Sequence, residues 1–355
     1  MREQDERARV ERAMHDAFGP DARVVAMTPL HGDASSRRYV RVTLAGAAPA
    51  HVVVMVLGEG RFTGGSDELG GGASLTELPF VNVARWLDAQ GFPIPTIHLD
   101  RSREDGLLVL EDVGDTTLWA AVAAAPARTE ELFARAVDLL VRLQVAGETA
   151  SPAACVAFGR RFDEALARAE LAHYVDHGIE TRHGVTLPPA ERTQLLAHLD
   201  PLVAPFRDGP FTLSHRDYMA WNIHLRDGEL VLIDFQDALM APDAFDLAQL
   251  LTDRTTAERV DEGLESRLVA RFEHARHTAG RLVAPGFADR YRRCALQHVF
   301  KVIGRFHLLE LVKGKPGYLA YLPAVHEVGR RMLRALPDLA PALPELERWT
   351  PELVP

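Results

Sequence analysis

The sequence has few cysteines, no long apolar run and no excess of positive charge. Its two cysteines, Cys155 and Cys294, are too few for a disulfide framework or a paired-cysteine metal site, which favours a reducing compartment. No apolar run reaches the ~20 residues that a membrane-spanning helix needs, and the charged segment Met1–Val10 lacks the apolar core of a secretory signal. The net charge of -10 provides no overall field that attracts nucleic acid or anionic lipid. We therefore expect a cytoplasmic protein with neither nucleic acid nor membrane as a partner.

Two common nucleotide-binding fingerprints are also missing. The chain contains neither the P-loop pattern nor the dinucleotide pattern G-x-G-x-x-G. Its length of 355 residues exceeds what one hydrophobic core usually organises, and its 47% apolar and 25% charged content is that of a folded globular protein. Two lobes are therefore expected.

Strand patterns precede Glu111, and helical periodicity dominates after it. The runs Tyr39–Leu44 and His51–Leu57 predict two paired strands. The glycine-rich stretch Gly58–Gly72 predicts a loop, either a lid that closes over substrate or a solvated insertion. Further predictions are helices over Glu3–Phe18 and Leu78–Gln90, a strand over Leu107–Leu110, a strand and hairpin island over Thr212–Asp237, and a tail with little regular structure over Ala335–Pro355. The pattern favours an α+β bilobal fold, with a small β-rich N-lobe over residues 1–112 and a larger, mainly helical C-lobe over residues 113–355.

The island carries the residues that best match a chemical function. His215-Arg216-Asp217 is followed by Asn222, which is the catalytic-loop spacing of protein-kinase-like phosphotransferases, and Asp234 comes twelve residues later. Phosphoryl transfer needs a base near the acceptor hydroxyl and metal ions that offset negative charge. Asp217 is the candidate catalytic base, and the oxygens of Asn222 and Asp234 suit Mg2+.

A hairpin accounts for the spacing between the two candidate metal ligands. Asp227-Gly228 is a turn signal between two apolar runs, so the flanking strands are expected to bring Asn222 and Asp234 to the same end. The alternative is that these side chains only cap turns around the hairpin.

Two further polar residues are candidates for structural support of this loop. Asp246 stands where a helix begins, and it either interacts favourably with the helix dipole or accepts hydrogen bonds from the catalytic-loop backbone. His215 is interpreted as a packed, hydrogen-bonded histidine that positions the loop.

Four segments together resemble the aminoglycoside/choline-kinase-like phosphotransferase superfamily. The resemblance is closest to its anomeric kinases, which phosphorylate N-acetylmuramate and N-acetylglucosamine at the C1 hydroxyl. It implies a protein-kinase-like fold, ATP as phosphoryl donor and an amino sugar as acceptor. The segments are Gly32–Tyr39, Pro93–Pro95 through Glu111–Gly114, the island with Asp237–Met240, and Leu296–Gly304 through Gly314–Leu319.

The resemblance also implies nucleotide contacts, with one departure. Met55 and Phe80 stand where the general kinase pattern has a phosphate-binding lysine and its glutamate partner, so both halves of that ion pair are missing. Arg37 or Arg38 is then the expected phosphate ligand, with one of the two facing the nucleotide. The expected covering turn includes Ser35 and Ser36, and the backbone from Glu111 to Val113 is expected to contact adenine.

For the acceptor, the resemblance suggests four residues on otherwise apolar helices or next to them. Lys301 could equally be a solvated surface residue, and Glu170 could instead pair with a nearby arginine such as Arg168. Other acceptors, such as an aminoglycoside or a choline-like alcohol, remain open, as does a catalytically silent nucleotide-binding protein. The four candidate acceptor residues are Glu170, Gln297, Lys301 and Tyr318.

Overall fold

The computed structural model describes residues 2–30, 37–58 and 77–354. The chain forms two compact units, the first from Met1–Asp115 with His224–Gln236 and the second from Thr116–Ile223 with Asp237–Pro355. The first contains a small antiparallel sheet and the second is mainly helical, which confirms the predicted α+β class. The division into domains 1–112 and 113–355 stays a prediction.

A five-stranded antiparallel sheet organises the first unit in the order β1-β2-β3-β5-β4. Alternate residues of β2 face the core, so that Val40, Val42 and Leu44 are buried while their neighbours are less so. The predicted strand pair is present as β2 and β3. The strands are β1 (Arg23–Leu30), β2 (Arg38–Ala45), β3 (His51–Val56), β4 (Ile97–Arg101) and β5 (Leu107–Glu111).

Two helices accompany this sheet, as the periodicity predicts. Helix α1 (Arg2–Phe18) contributes Val10 and Met14 to the same core cluster as the β2 side chains, because residues four apart lie on one face of a helix. Helix α2 (Pro79–Ala89) begins with a proline, whose missing N–H would have no partner in the first turn in any case.

The predicted hairpin is formed by β7 (Ile223–Arg226) and β8 (Glu229–Leu232). Asp227 and Gly228 have φ angles of 51° and 85°, the left-handed region that a two-residue hairpin turn requires. Asn222 immediately precedes β7, and Asp234 follows β8.

Helices form most of the second unit, and α10 (Phe287–His307) is the most deeply buried of its long helices. Gly304 on α10 lies so close to His173 that a Cβ would stand 2.8 Å from its carbonyl oxygen. A side chain there would force the two backbones apart. The other helices are α3 (Leu118–Ala124), α4 (Thr129–Thr149), α5 (Glu164–His173), α6 (Pro189–Leu199), α7 (Ala204–Asp208), α8 (Phe245–Thr252), α9 (Glu262–Thr278), α11 (Leu322–Arg334) and α12 (Leu343–Trp349).

The remaining strand pair of this unit joins β6 (Phe211–Ser214) to β9 (Leu239–Pro242) in antiparallel register. The prediction of an irregular tail is wrong, because Pro337–Ala342 is a 3-10 helix and α12 follows it. Leu339, Leu346 and Leu353 of this tail are fully buried, so packing against the unit offsets the low helix propensity of its prolines. Among the residues described, no helix is both long and apolar enough to cross a membrane.

Candidate active site

A buried carboxylate holds the segment that leads into Asp217. Asp246, at the start of α8 and 1% exposed, accepts hydrogen bonds from the Ser214 hydroxyl at 2.7 Å and from the backbone N–H of His215 at 2.7 Å. It also accepts from the N–H of Arg216 at 3.2 Å. Of the two roles considered for Asp246, this geometry is that of a carboxylate which orders the loop backbone.

The loop backbone is strained where Asp246 holds it. Arg216 has φ of 76°, a conformation that costs a non-glycine residue about 1–3 kcal/mol. Burial raises the pKa of Asp246, although His215 and the hydrogen-bond donors act in the opposite direction. The His215 ring is buried and meets the Tyr218 ring edge-on at 5.7 Å. Asp217 therefore follows a residue whose conformation is fixed from several sides.

Tyr218 anchors the other side of Asp217. It is fully buried, its hydroxyl donates to the Ala136 carbonyl at 2.8 Å, and its N–H donates to Gln249 at 3.2 Å. Burial raises the pKa of Tyr218 well above its ordinary value, so this hydroxyl stays protonated and keeps donating.

Asn222 is tied directly to Asp217, the predicted base. Its side-chain Nδ2 donates to the Asp217 carbonyl at 3.0 Å, and its backbone N–H donates to the Met219 carbonyl at 2.9 Å. Between them, Trp221 stacks on Trp119 with ring centroids 4.6 Å apart. The loop thus holds Asp217 and Asn222 in one fixed relation.

Asp234 belongs to the first unit and also has an unusual backbone. Its φ is 62°, and its Oδ1 accepts a hydrogen bond from Gln236 Nε2 at 2.9 Å. The next residue, Phe235, stacks on Phe80 of α2 with ring centroids 4.8 Å apart. A strained residue fixed by packing on one side and by a hydrogen bond on the other is typical of a functional position.

Asn222 and Asp234 each offer an oxygen of the kind that a hard divalent cation binds. Because the Asn222 amide donates through Nδ2 to Asp217, its carbonyl oxygen points away from that bond, and this oxygen is the atom that Mg2+ prefers. Asp234 supplies a carboxylate oxygen. In the described part of the chain, no group of three or more histidine, cysteine, aspartate or glutamate side chains forms a separate metal cluster.

Apolar packing occupies the positions of the kinase lysine and glutamate. Met55 on β3 is fully buried and Phe80 is 4% exposed. The contact of Phe80 with Phe235 means that α2 is joined to the Asp234 segment by aromatic stacking. Because the lysine and its glutamate partner are both replaced, neither charge is left buried without its partner.

The two arginines predicted to bind phosphate lie at the start of β2. Arg38 forms an ion pair with Glu6 of α1, and its side chain is 63% exposed. Arg37 directly precedes the strand and is partly buried. Ser35 and Ser36 lie outside the described residues, as does nearly all of the loop predicted over Gly58–Gly72.

Sequence reasoning missed Arg41, which braces the segment after β5. Its guanidinium bonds to both carboxylate oxygens of Asp112 at 2.6 and 2.9 Å, and to both oxygens of Asp115 at 2.9 Å. These partners raise the pKa of Arg41 and lower that of Asp115, so the pair stays charged. The alternation of buried and less buried residues along β2 could have predicted that Arg41 faces away from the core, but not that it binds Asp112 and Asp115.

The segment expected to contact adenine is fixed along its length. Glu111 pairs with Arg226 and accepts from the Thr96 N–H at 3.1 Å. Gly114 has φ of 79°, which favours glycine, and its carbonyl bonds to His224 Nδ1 at 3.0 Å. The backbone around Val113 is therefore held in place by side chains of β2 and of the hairpin.

Three of the four candidate acceptor residues contact one another. Glu170 on α5 accepts from Gln297 Nε2 at 2.6 Å and pairs with Lys301 at 3.0 Å. Lys301 is thus bound to a carboxylate and is not a solvated surface residue, and Arg168 pairs with Glu164 and Asp200 instead.

The fourth, Tyr318, belongs to an aromatic cluster. Its ring lies 5.5 Å from that of Phe306, and the Arg254 guanidinium carbon is 5.7 Å from its centroid. Arg254 was not among the predicted residues, because an arginine after a helix has no distinguishing pattern of its own.

Comparison with known proteins gives consistent matches. Residues 26–285 match the model of the phosphotransferase enzyme family. An N-acetylmuramate/N-acetylglucosamine kinase of Pseudomonas aeruginosa is 32% identical over 271 residues, 74% of this chain and 75% of that protein. One of Caulobacter vibrioides is 31% identical over 298 residues, 78% of this chain and 74% of that protein. A solved amicoumacin kinase in complex with AMP-PNP and Ca2+ has a TM-score of 0.61 at 14% identity, covering 91% of this chain and 93% of its own.

Proposed function

The chain belongs to the phosphotransferase enzyme family, and from that premise we propose that it transfers the γ-phosphoryl group of ATP to the anomeric hydroxyl of N-acetylmuramate, N-acetylglucosamine or both. The kinase chemistry follows from the family and from relatives that are named as kinases. The choice of acceptor is supported by relatives at about 30% identity that carry this sugar-kinase name. A role in cell-wall sugar recycling, in the cytoplasm, is part of the same proposal.

The ordered loop around Asp217 is the observation that carries the proposal. Asp246 fixes the backbone before it, Tyr218 anchors the backbone after it, and Asn222 bonds to its carbonyl. A base held this rigidly can accept a proton without reorganising at the moment of reaction.

In the reaction, the acceptor hydroxyl oxygen forms a bond to the γ-phosphorus of ATP as the bond to the leaving ADP oxygen breaks. The hydroxyl proton passes to the Asp217 carboxylate. Asn222 and Asp234 would hold Mg2+, which when bound offsets negative charge on the phosphates. Asp217 also orients the hydroxyl, because a carboxylate oxygen accepts its hydrogen bond before it accepts the proton.

Nucleotide binding is assigned to the first unit. The backbone from Glu111 to Val113 contacts adenine. Arg41 bonds to Asp112 within that segment and to Asp115 just after it, and so holds the segment in place. Arg37 or Arg38 is proposed as the phosphate ligand, together with Ser35 and Ser36, and Arg38 also pairs with Glu6 of α1.

The experiment measures release of ADP from Mg-ATP with N-acetylmuramate, N-acetylglucosamine or kanamycin as acceptor. We expect turnover with at least one of the two amino sugars, and loss of it in Asp217→Asn. The matched control is Asp227→Asn, an equal change at the exposed hairpin turn, where asparagine tolerates the positive φ. Turnover of kanamycin alone would identify an aminoglycoside kinase. Tight nucleotide binding without turnover of any acceptor would instead indicate a silent nucleotide-binding protein.

A further inference from the structure

Arg254 is held in a fixed turn directly after α8. The backbone carbonyl of Asp253 accepts from the N–H of Thr256 at 2.9 Å and of Ala257 at 3.0 Å. The buried Asp253 carboxylate accepts from the Thr255 hydroxyl at 3.1 Å and from the backbone N–H groups of Arg254 and Thr255. The turn therefore fixes the point from which the Arg254 side chain extends.

Four aromatic rings surround the Arg254 guanidinium. Its central carbon is close enough to each ring centroid for a cation–π contact. Three of these residues, Trp221, Tyr318 and Tyr321, are only partly buried, as is Arg254 itself. The distances are 5.0 Å to Tyr321, 5.3 Å to Phe306, 5.7 Å to Tyr318 and 5.9 Å to Trp221.

This aromatic cluster is continuous with the catalytic loop. Trp221 immediately precedes Asn222, and it stacks on Trp119, whose backbone N–H donates to the Ala220 carbonyl at 3.3 Å. Arg254 therefore contacts a residue of the loop that presents Asp217. A group bound to Arg254 would therefore lie close to Trp221 of this loop.

Lys301 is a second cation near Arg254, since both lie close to the buried His298. His298 on α10 is 4% exposed, and neither of its ring nitrogens has a hydrogen-bond partner among the described residues. Burial, together with the charges of Lys301 and Arg254, lowers the pKa of His298 to about 3. Both cations thus act on one neutral histidine. Lys301 has the Glu170 carboxylate as its partner at 3.0 Å, so the charge of Lys301 is locally compensated.

We propose that Arg254 is a specificity-determining residue that binds the carboxylate of the acceptor sugar. The assignment rests on the proposed function and deepens it. N-acetylmuramate carries a lactyl carboxylate that N-acetylglucosamine lacks, and a guanidinium binds a carboxylate through two parallel N–H donors. The aromatic rings hold the guanidinium plane in place, so less side-chain freedom is lost on binding.

The test compares Arg254→Gln and Arg254→Lys with the unchanged chain on both sugars. A charge-assisted hydrogen bond corresponds to about a 10-fold to 100-fold change in affinity. We expect KM for N-acetylmuramate to rise by this factor in Arg254→Gln, with kcat and the KM for N-acetylglucosamine nearly unchanged. Arg254→Lys keeps the charge but not the two-donor geometry, and should give a smaller rise. Arg271→Gln, which removes a surface arginine paired with Asp138, is the control and should change neither sugar.

Equal losses for the two sugars would overturn the assignment, because they would indicate a structural role for Arg254. An unchanged ratio of the two KM values would overturn it as well. Titration calorimetry with AMP-PNP separates this inference from the proposed function. If the unchanged chain binds N-acetylmuramate without phosphorylating it, and Arg254→Gln loses that binding, the kinase function fails while the carboxylate site stands. If the unchanged chain binds neither sugar, both fail.

Discussion

Replacing Asp246 by alanine should destabilise the protein and displace Asp217, the proposed catalytic base. The carboxylate accepts three hydrogen bonds, from Ser214 and from the N–H groups of His215 and Arg216. All three donors are at most 3% exposed, so water does not replace the lost acceptor. An unsatisfied buried donor costs about 1–3 kcal/mol. The Ser214 hydroxyl can rotate, and the Arg216 N–H also donates to Ser214 Oγ at 2.9 Å. The His215 N–H is then left without an acceptor, so we expect the free energy of unfolding to fall by about 1–3 kcal/mol.

The same substitution should lower kcat below what the stability loss explains. Arg216 keeps its φ of 76° while the loop is held, and without Asp246 it can relax to an ordinary conformation. Asp217 would move with it, and a displacement of about 1 Å in a reacting group costs roughly 100-fold in rate. Asp246→Asn should lower kcat by an intermediate amount. Its amide keeps one oxygen that accepts a hydrogen bond, but its NH2 group faces a donor of the loop and repels it.

The assay combines urea unfolding with steady-state ADP release at a temperature where each variant is folded. Asp243→Ala is the matched control, since Asp243 is 4% exposed and is bonded to Arg290 at 2.9 and 2.7 Å, away from the Asp217 backbone. We expect Asp243→Ala to lose stability but keep kcat. A loss below about 1 kcal/mol in Asp246→Ala, or equal kcat losses in the two variants, would refute the reasoning.

Three further predictions follow from single contacts. Arg41→Ala should raise KM for ATP without changing KM for the sugar, because it releases Asp112 and Asp115 in and beside the backbone proposed to bind adenine. Equal rises for both substrates would contradict this. Phe80→Ala should lower the free energy of unfolding by about 3–5 kcal/mol and raise the Mg2+ concentration needed for half-maximal activity, because Phe80 stacks on Phe235 next to Asp234. Phe80→Leu should have smaller effects on both quantities, which denaturation and Mg2+ titration measure. The pKa of His298 is about 3 in the folded state and about 6.5 in the unfolded state. The stability that the neutral imidazole contributes is therefore fully present above about pH 6.5 and is lost as the pH falls toward 3. In His298→Asn the fall in stability between pH 7 and pH 5 should be smaller by about 2 kcal/mol, and an unchanged pH profile would show that the buried imidazole is not the cause.

The local elements of the fold could be predicted because they depend on contacts close in sequence. The hairpin around Asp227-Gly228, the strand pair β2 and β3, and the helix α1 each have a periodicity or a turn signal that determines them. The tail Ala335–Pro355 was mispredicted for the opposite reason. Its helices depend on Leu339, Leu346 and Leu353 packing against distant parts of the chain, which a local pattern does not contain.

Among the candidate site residues, too, those identified by a local pattern could be predicted, and those defined by distant contacts could not. Asp217, Asn222 and Asp234 could be proposed from spacing, because the first two lie in one continuous loop and the third follows the hairpin next to it. The role of Arg41 could not, because its partner Asp112 is 71 positions away in sequence and only the sheet brings them together. Arg254 was missed because its distinguishing property is the set of rings around it, and Phe306 and Tyr321 come from distant segments.

We propose Asp217 as the catalytic base of an anomeric sugar kinase. Phosphorus NMR of the purified protein with Mg-ATP and each amino sugar tests it most directly, because phosphorus in a sugar 1-phosphate is coupled to the anomeric proton. We predict a new resonance with that coupling in the unchanged chain and in Asp227→Asn, and none in Asp217→Asn. A phosphorylated sugar without coupling to the anomeric proton, or an undiminished product signal in Asp217→Asn, would contradict the account.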